Sequence, residues 1–283
     1  MPSTYYFALL ISFEQSIFAQ GTFLFRVGES QQPFYLHTAL VADCSPFLKA
    51  LMTGQMKEAK ENTANLPEMD PLTFARFAEY IYHGNYNVPG PAQIKHEKTS
   101  LNLINNVKAV QTLPSSPLPN RRKVAQNQGP PKPSIDNLGN FSTFPLASGT
   151  FKTFPSISEP ILADESFQQD FTEPVHCHAR VYVMADYFQA QNLKDLAIRK
   201  MHKTLEYVMQ SEKRCVKNIV SVLEYSYKNT MHLESSKDKL RDLLTYYVAW
   251  NFRSVMDNED FKASLKTSNA FMVDICEKIC LRL

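Results

Sequence analysis

PFYLHTALVADCSPFLKALMTGQMKEAKENTANLPEMDPLTFARFAEYIYHG occupies residues 33–84, and its changes of hydrophobic period decide the fold. Phe34 and Leu36 alternate with Tyr35 and His37, as in a half-buried strand. Helical spacing takes over at Leu40 and Val41 until Ser45-Pro46 interrupts it, so a strand feeds a helical hairpin. Phe47, Leu48, Leu51 and Met52 form the apolar face of the second helix, Gly54 ends it, and Met56-Lys57-Glu58 opens a loop beyond it. After an apolar-polar stretch over 65–67, Asp70 is a natural N-cap with Pro71 at the first helical position. Phe74, Phe77, Ala78 and Ile81 follow at helical spacing, and Gly84 stops the helix. His37 opens a helix after a strand; local spacing places no carboxylate or nucleophile beside it, so a capping or core-polar role is expected.

Upstream, Phe23, Phe25 and Val27 alternate with Leu24 and Arg26, and Gly28 begins a polar turn, which makes a hairpin leading into the quoted stretch. Residues 7–18 are read as a helix or helical turn; the apolar run 5–13 lacks a preceding basic residue and is too short to span a bilayer, so a helix packed on the domain is expected rather than a signal peptide. Past Gly84, residues 85–88 suit one more short strand. Twelve of the 17 prolines then lie between Pro89 and Pro174, among Ser, Asn, Gln and Thr, and such a segment buries too little apolar surface to offset its ordering entropy. It is read as a disordered insertion with a short helix near 101–110. Within it Phe141, Phe144, Phe151 and Phe154 stand in a repeated Thr-Phe-Pro context, open to two readings, a peptide-docking motif or sticky disorder. Arg121-Arg122-Lys123 is a weak match to a nuclear signal and is expected to be a solvated charge run.

Order resumes at Val175. Val181, Met184, Ala185 and Phe188 form one helical stripe, and Leu193, Leu196, Ala197, Met201 and Leu205 form another after a Gln191-Asn192 turn. Further stripes run through Val216, Ile219, Val220, Leu223 and Tyr227, then Leu240, Leu243, Leu244, Tyr247 and Val248, then Phe271, Ile275 and Ile279. Trp250 is expected as a core anchor. The expected organisation is a lead-in over 1–22, a mixed domain begun over 23–88, an insertion over 89–174, completing helices over 175–208 and a helical extension over 209–283. The class is α+β, a small mixed sheet flanked by helices, followed by an α-helical bundle.

Composition excludes several functions. A net charge of +2 over 283 residues, with 44% hydrophobic and 20% charged residues, gives no global reason to expect nucleic acid, and no apolar run reaches membrane length. Five scattered cysteines lack a framework spacing, which fits a reducing intracellular compartment, cytoplasmic or nuclear. With 8 glycines and no phosphate-cradling loop, no cofactor site is expected. His176-Cys177-His178 is the densest metal-like cluster, yet adjacent residues diverge and no second ligand pair stands near; an ordinary linker-to-helix junction is expected, with a metal-dependent or thiol enzyme as the competing class. Cys276 and Cys280 share a helix face and are expected as buried thiols.

The segments LHTALVADCSPFLKALMTG and LPEMDPLTFARFAEYIYHGNY resemble the BTB/POZ domain, and VYVMADYFQAQNLKDLAIRKMHKTL looks like the two helices that complete it. The layout is most similar to fungal BTB-domain proteins. The resemblance implies protein recognition without catalysis: an adaptor, or a homo-oligomerising or transcription-linked scaffold, with a homodimer among its partners. A subset of the family binds a cullin of the third type in ubiquitin ligases through a hydrophobic-Xaa-Glu element after the second helix. Met56-Lys57-Glu58 occupies that place, with Phe47, Leu51 and Met52 on the adjoining helix as the rest of the implied contact. The Asp that family members often carry before the first strand has no counterpart in 16–22. No kelch repeat, MATH-like sandwich or zinc-finger array is present to name a substrate or a DNA site.

Overall fold

In a computed structural model the described residues are 21–94, 141, 144, 168–231, 238–267 and 270–281. The expected helices over 7–18 and 101–110 and the basic run at 121–123 lie outside them. Strands β1 (Thr22–Val27) and β2 (Gln32–His37) form the expected antiparallel hairpin, with Phe25 opposite Phe34. Phe23, Phe25 and Val27 are fully buried, the alternation seen in the sequence. Gly28 turns the hairpin at φ 75°, and an added Cβ there would lie 2.8 Å from the Pro71 ring, so both the backbone and the neighbouring helix require glycine.

Helices α1 (Thr38–Cys44) and α2 (Pro46–Thr53) make the hairpin that follows. Ser45 separates them: its Oγ accepts from the Leu48 N–H at 3.0 Å and donates to the Phe188 carbonyl at 2.5 Å, across 143 residues of chain. Ser45→Ala loses the cap and strands a buried carbonyl, so unfolding free energy should fall by about 2 kcal/mol in a urea titration. A loss below about 0.5 kcal/mol would show that the long-range bond contributes nothing. At Gly54, the C-cap of α2, an added Cβ would lie 2.5 Å from the Ala50 carbonyl oxygen, so this helix end favours glycine. The expected loop at Met56-Lys57-Glu58 is instead the start of a short helix, α3 (Lys57–Glu61), closed by Asn62 in the left-handed region. Asn62 then donates to the Thr22 carbonyl at 2.9 Å and accepts from the Leu24 N–H, directing β3 (Thr63–Leu66) into parallel pairing with β1. The sheet order is β2-β1-β3.

Helix α4 (Pro71–His83) has the expected ends: the Asp70 carboxylate accepts from Thr73 N–H at 2.9 Å, and Gly84 takes φ 67° with its N–H on the Tyr80 carbonyl. Residues 85–88 do not form the expected strand. Their polar groups bind α4 side chains and a buried lysine instead, as the next subsection describes. The strand lies further on: β4 (Ala92–Ile94) pairs antiparallel with β5 (Gln168–Asp170), and β5 pairs parallel with β6 (Arg214–Cys215). This second sheet gathers residues from the two edges of the expected insertion and from the helical extension.

The remaining helices are α5 (Thr172–Tyr187), α6 (Gln191–Met209), α7 (Ile219–Asn229), α8 (Lys239–Trp250), α9 (Phe252–Met256), α10 (Glu259–Thr267) and α11 (Ala270–Cys280). Gln191 and Asn192 already belong to α6; the turn sits one step earlier, where Gln189 takes φ 55°. Asp238 caps α8 and accepts from the Tyr182 hydroxyl at 2.8 Å, joining α5 to the bundle. Trp250 is half-buried against the core, stacked on Tyr246. Cys276 and Cys280 are exposed, because Ile275 and Ile279 take the inward positions of α11 and leave the residue after each on the outer face. One apolar cluster runs from Phe23 on β1 to Ile275 on α11, so the mixed N-terminal region and the all-α bundle share a core. Among the described residues no helix is long and apolar enough to cross a membrane.

Candidate protein-interaction surface

Met56 is the N-cap residue of α3, with extended backbone and a side chain 66% exposed. Its carbonyl accepts from the Lys60 N–H, so the residue is fixed in position while its thioether stays outside. Lys57 is exposed and pairs with Glu61 at 3.7 Å, a surface ion pair that contributes little. Glu58 is half-buried in the first turn of α3, where a carboxylate is favoured by the helix dipole. These three residues stand together two positions beyond Gly54. Phe47 and Leu51 on α2 are half-buried against the core, and Met52 is inside it. The Phe47 ring lies 5.4 Å from that of Tyr187 and 6.3 Å from that of Phe188. Tyr187, 58% exposed at the end of α5, therefore extends the α2 flank as an aromatic surface. It was readable in principle, since it falls off the Met184, Ala185 and Phe188 stripe.

His37 is the N-cap residue of α1, with no side-chain cap hydrogen bond to that helix. Its N–H donates to the Tyr82 hydroxyl at 3.2 Å, and its Nδ1 shares a second hydrogen bond with that hydroxyl at 2.8 Å. The junction is thereby tied to the end of α4.

His176, Cys177 and His178 occupy α5 rather than a junction, and they diverge. The His176 ring faces Tyr225 at 5.0 Å, while His178 points to the opposite side. His178 Nδ1 shares a hydrogen bond with the Tyr86 hydroxyl at 2.7 Å, and its Nε2 lies 3.3 Å from Thr204 Oγ1. Lys200 completes this buried knot: its ammonium donates to Asn85 Oδ1 at 2.8 Å and to the Tyr86 carbonyl at 2.5 Å, and lies over the Tyr86 ring. On the other side, Glu79 accepts from the Asn87 N–H and Arg76 Nε donates to the Asn87 carbonyl. The segment 85–87 is thus clamped between α4 and α6. Burial, with the Lys200 and Arg76 cations beside it, holds the His178 pKa down at about 3, and burial lowers Lys200 to about 8. Tyr86 and His178 are 1% exposed, which closes the knot to any substrate.

Among the described residues no group of three or more His, Cys, Asp or Glu side chains converges as a metal site would require. Burial raises the Cys177 and Cys215 thiols, and burial followed by Asp43 raises Cys44 to about 12, the reverse of what a nucleophilic cysteine needs.

Residues 14–105 match the BTB/POZ domain. The mixed sheet and its helices are therefore a BTB/POZ domain, a non-catalytic protein-protein interaction module, and an all-α bundle follows it. A stretch of 65 residues, 23% of this chain, is 34% identical to Kelch-like protein 3 of Danio rerio. The match spans only 10% of that relative's length.

Proposed function

We propose that the chain is an adaptor that binds a cullin-type ubiquitin-ligase scaffold through α3 and the flank of α2. The supporting observation is the exposed Met56 held rigidly beside the half-buried Glu58, an adaptable apolar knob next to a directional charge. Phe47 and Leu51 supply partly exposed apolar surface, Lys57 lies on the rim, and Met52 acts from beneath by fixing α2. The fungal affinity of this reading rests on the order of elements; the relative named above is a vertebrate protein. In a pull-down with a cullin of the third type, Met56→Ala with Glu58→Ala should weaken capture by about thirtyfold, the loss of one interfacial anchor. The melting temperature should stay near wild type, since both side chains lie outside the core. Capture unchanged by the double substitution, or absent for the wild type, overturns the reading.

A second reading, a scaffold that self-associates, has its own support. Tyr35 is 64% exposed on β2, which among the described residues is one of the two edge strands of the first sheet, and such an edge is a template for pairing. Light scattering that finds a monomer removes it.

A further inference from the structure

The two Thr-Phe-Pro sites belong to a longer repeat that neither the BTB/POZ match nor the adaptor reading uses. Residues 141–145 read FSTFP and residues 151–155 read FKTFP, identical at four positions of five and ten residues apart. The first copy is seated. Phe141 is 2% exposed and Phe144 7%, both inside a recess made by α6 and α8. The Phe141 ring stacks on His202 at 5.0 Å and 13°, lies 5.6 Å from Tyr246, and meets Tyr247 edge-on at 6.1 Å. The Phe144 ring lies 6.0 Å from His202 and 5.6 Å from Tyr246. The backbone is read as well: the Phe141 carbonyl accepts from the Phe144 N–H at 3.2 Å, closing a single turn, and sits 2.8 Å from His202 Nε2.

The described contacts of Phe141 and Phe144 come from their two rings, the Phe141 carbonyl and the Phe144 N–H. The second copy repeats both phenylalanines at the same spacing; its one difference, Lys152 for Ser142, lies between them and leaves both rings in place. A rigid aromatic recess on two packed helices is preorganised for such a ligand and recognises rings at i and i+3 wherever they occur in the chain. We propose that the recess formed by His202, Tyr246 and Tyr247 is a peptide-binding site for the motif Phe-Xaa-Thr-Phe-Pro, and that the second copy at 151–155 is its alternative occupant. The two copies are covalently tethered to the same site, so each competes at an effective concentration in the millimolar range. Exchange between them shifts the anchored point of the chain by ten residues without unfolding the bundle.

The probe is a fluorescent peptide of residues 148–158, titrated into the full chain by anisotropy. The quadruple variant Phe141→Ala, Phe144→Ala, Phe151→Ala, Phe154→Ala should bind it, and adding Tyr246→Ala should weaken that binding about tenfold, the equivalent of 1.4 kcal/mol of ring contact. The variant Phe141→Ala, Phe144→Ala should bind the probe at least about tenfold more weakly than the quadruple variant, because its own second copy fills the recess. No binding by a folded quadruple variant, or equal binding by the double and quadruple variants, overturns the proposal. Should the quadruple variant fail to fold, photoreactive benzoylphenylalanine is placed at position 154 of the Phe141→Ala, Phe144→Ala chain. Crosslinks to α6 and α8 around His202 and Tyr246 support the exchange, and crosslinks only elsewhere overturn it.

Discussion

Phe188→Ala should lower the unfolding free energy by about 3–5 kcal/mol, the usual cost of deleting a buried aromatic ring. Phe188 is fully buried at the end of α5, and its ring contacts three rings from two helices of the N-terminal region's core. Its centroid lies 6.3 Å from that of Phe47 on α2, and 6.1 Å and 5.2 Å from those of Phe74 and Phe77 on α4. The same residue's carbonyl accepts from Ser45. Truncation therefore opens a cavity where α2, α4 and α5 meet, beside α2 and α4, which the Ser45 and Asp70 caps hold in place. In a urea titration the midpoint should fall with little change in slope. Tyr187→Ala, one position away and largely exposed, should cost under about 1 kcal/mol. Equal losses for the two variants would show that α5 does not key into the first region through Phe188.

The second large effect is acid lability centred on His178. In the folded chain its pKa is held at about 3, first by burial and then by Lys200 and Arg76, while an unfolded histidine titrates near 6.5. Above pH 6.5 neither state binds the proton, and the neutral ring contributes its full stability. As pH falls below 6.5 the unfolded state takes up a proton that the folded state refuses, so stability declines through the window down to about 3. The slope from this one group approaches about 1.4 kcal/mol per pH unit, giving a loss of about 2–3 kcal/mol by pH 4.5. Comparing wild type with His178→Gln isolates it: the variant should lose that much less stability between pH 7 and pH 4.5. Parallel profiles for the two proteins would refute the assignment. Lys200 acts at the other end of the scale, because its folded-state pKa of about 8 lies below the ordinary 10.5. Its burial cost is fully present below pH 8 and is relieved as pH rises from 8 to 10.5.

Much of the first region was legible because its signals are local. The alternation of Phe23, Phe25 and Val27, the Ser45-Pro46 and Asp70-Pro71 starts and the Gly54 and Gly84 stops each act within a few residues, and each is found in place. The candidate surface was legible only in part. Met56 could be placed after the end of α2, but that it caps a helix depends on Asn62 closing α3 and bonding to Thr22. Tyr187's part in that surface is harder to read, since its half-buried neighbour Phe47 belongs to a helix well over a hundred residues earlier. At the far end of the chain, the face of Cys276 and Cys280 turned on a single position, with Ile275 and Ile279 taking the buried side.

By itself the sequence determined the order and type of β1, β2, α1, α2 and α4 and the helical character of the bundle, since hydrophobic period and end-capping are written in neighbouring residues. Tertiary structure alone decided the second sheet, where 92–94, 168–170 and 214–215 pair across long stretches of chain. It alone placed Lys200 on the Tyr86 carbonyl, 114 residues away, and seated Phe141 on His202. Those outcomes depend on which distant polar groups and rings are desolvated together, and a burial shared between remote segments leaves no period in either one.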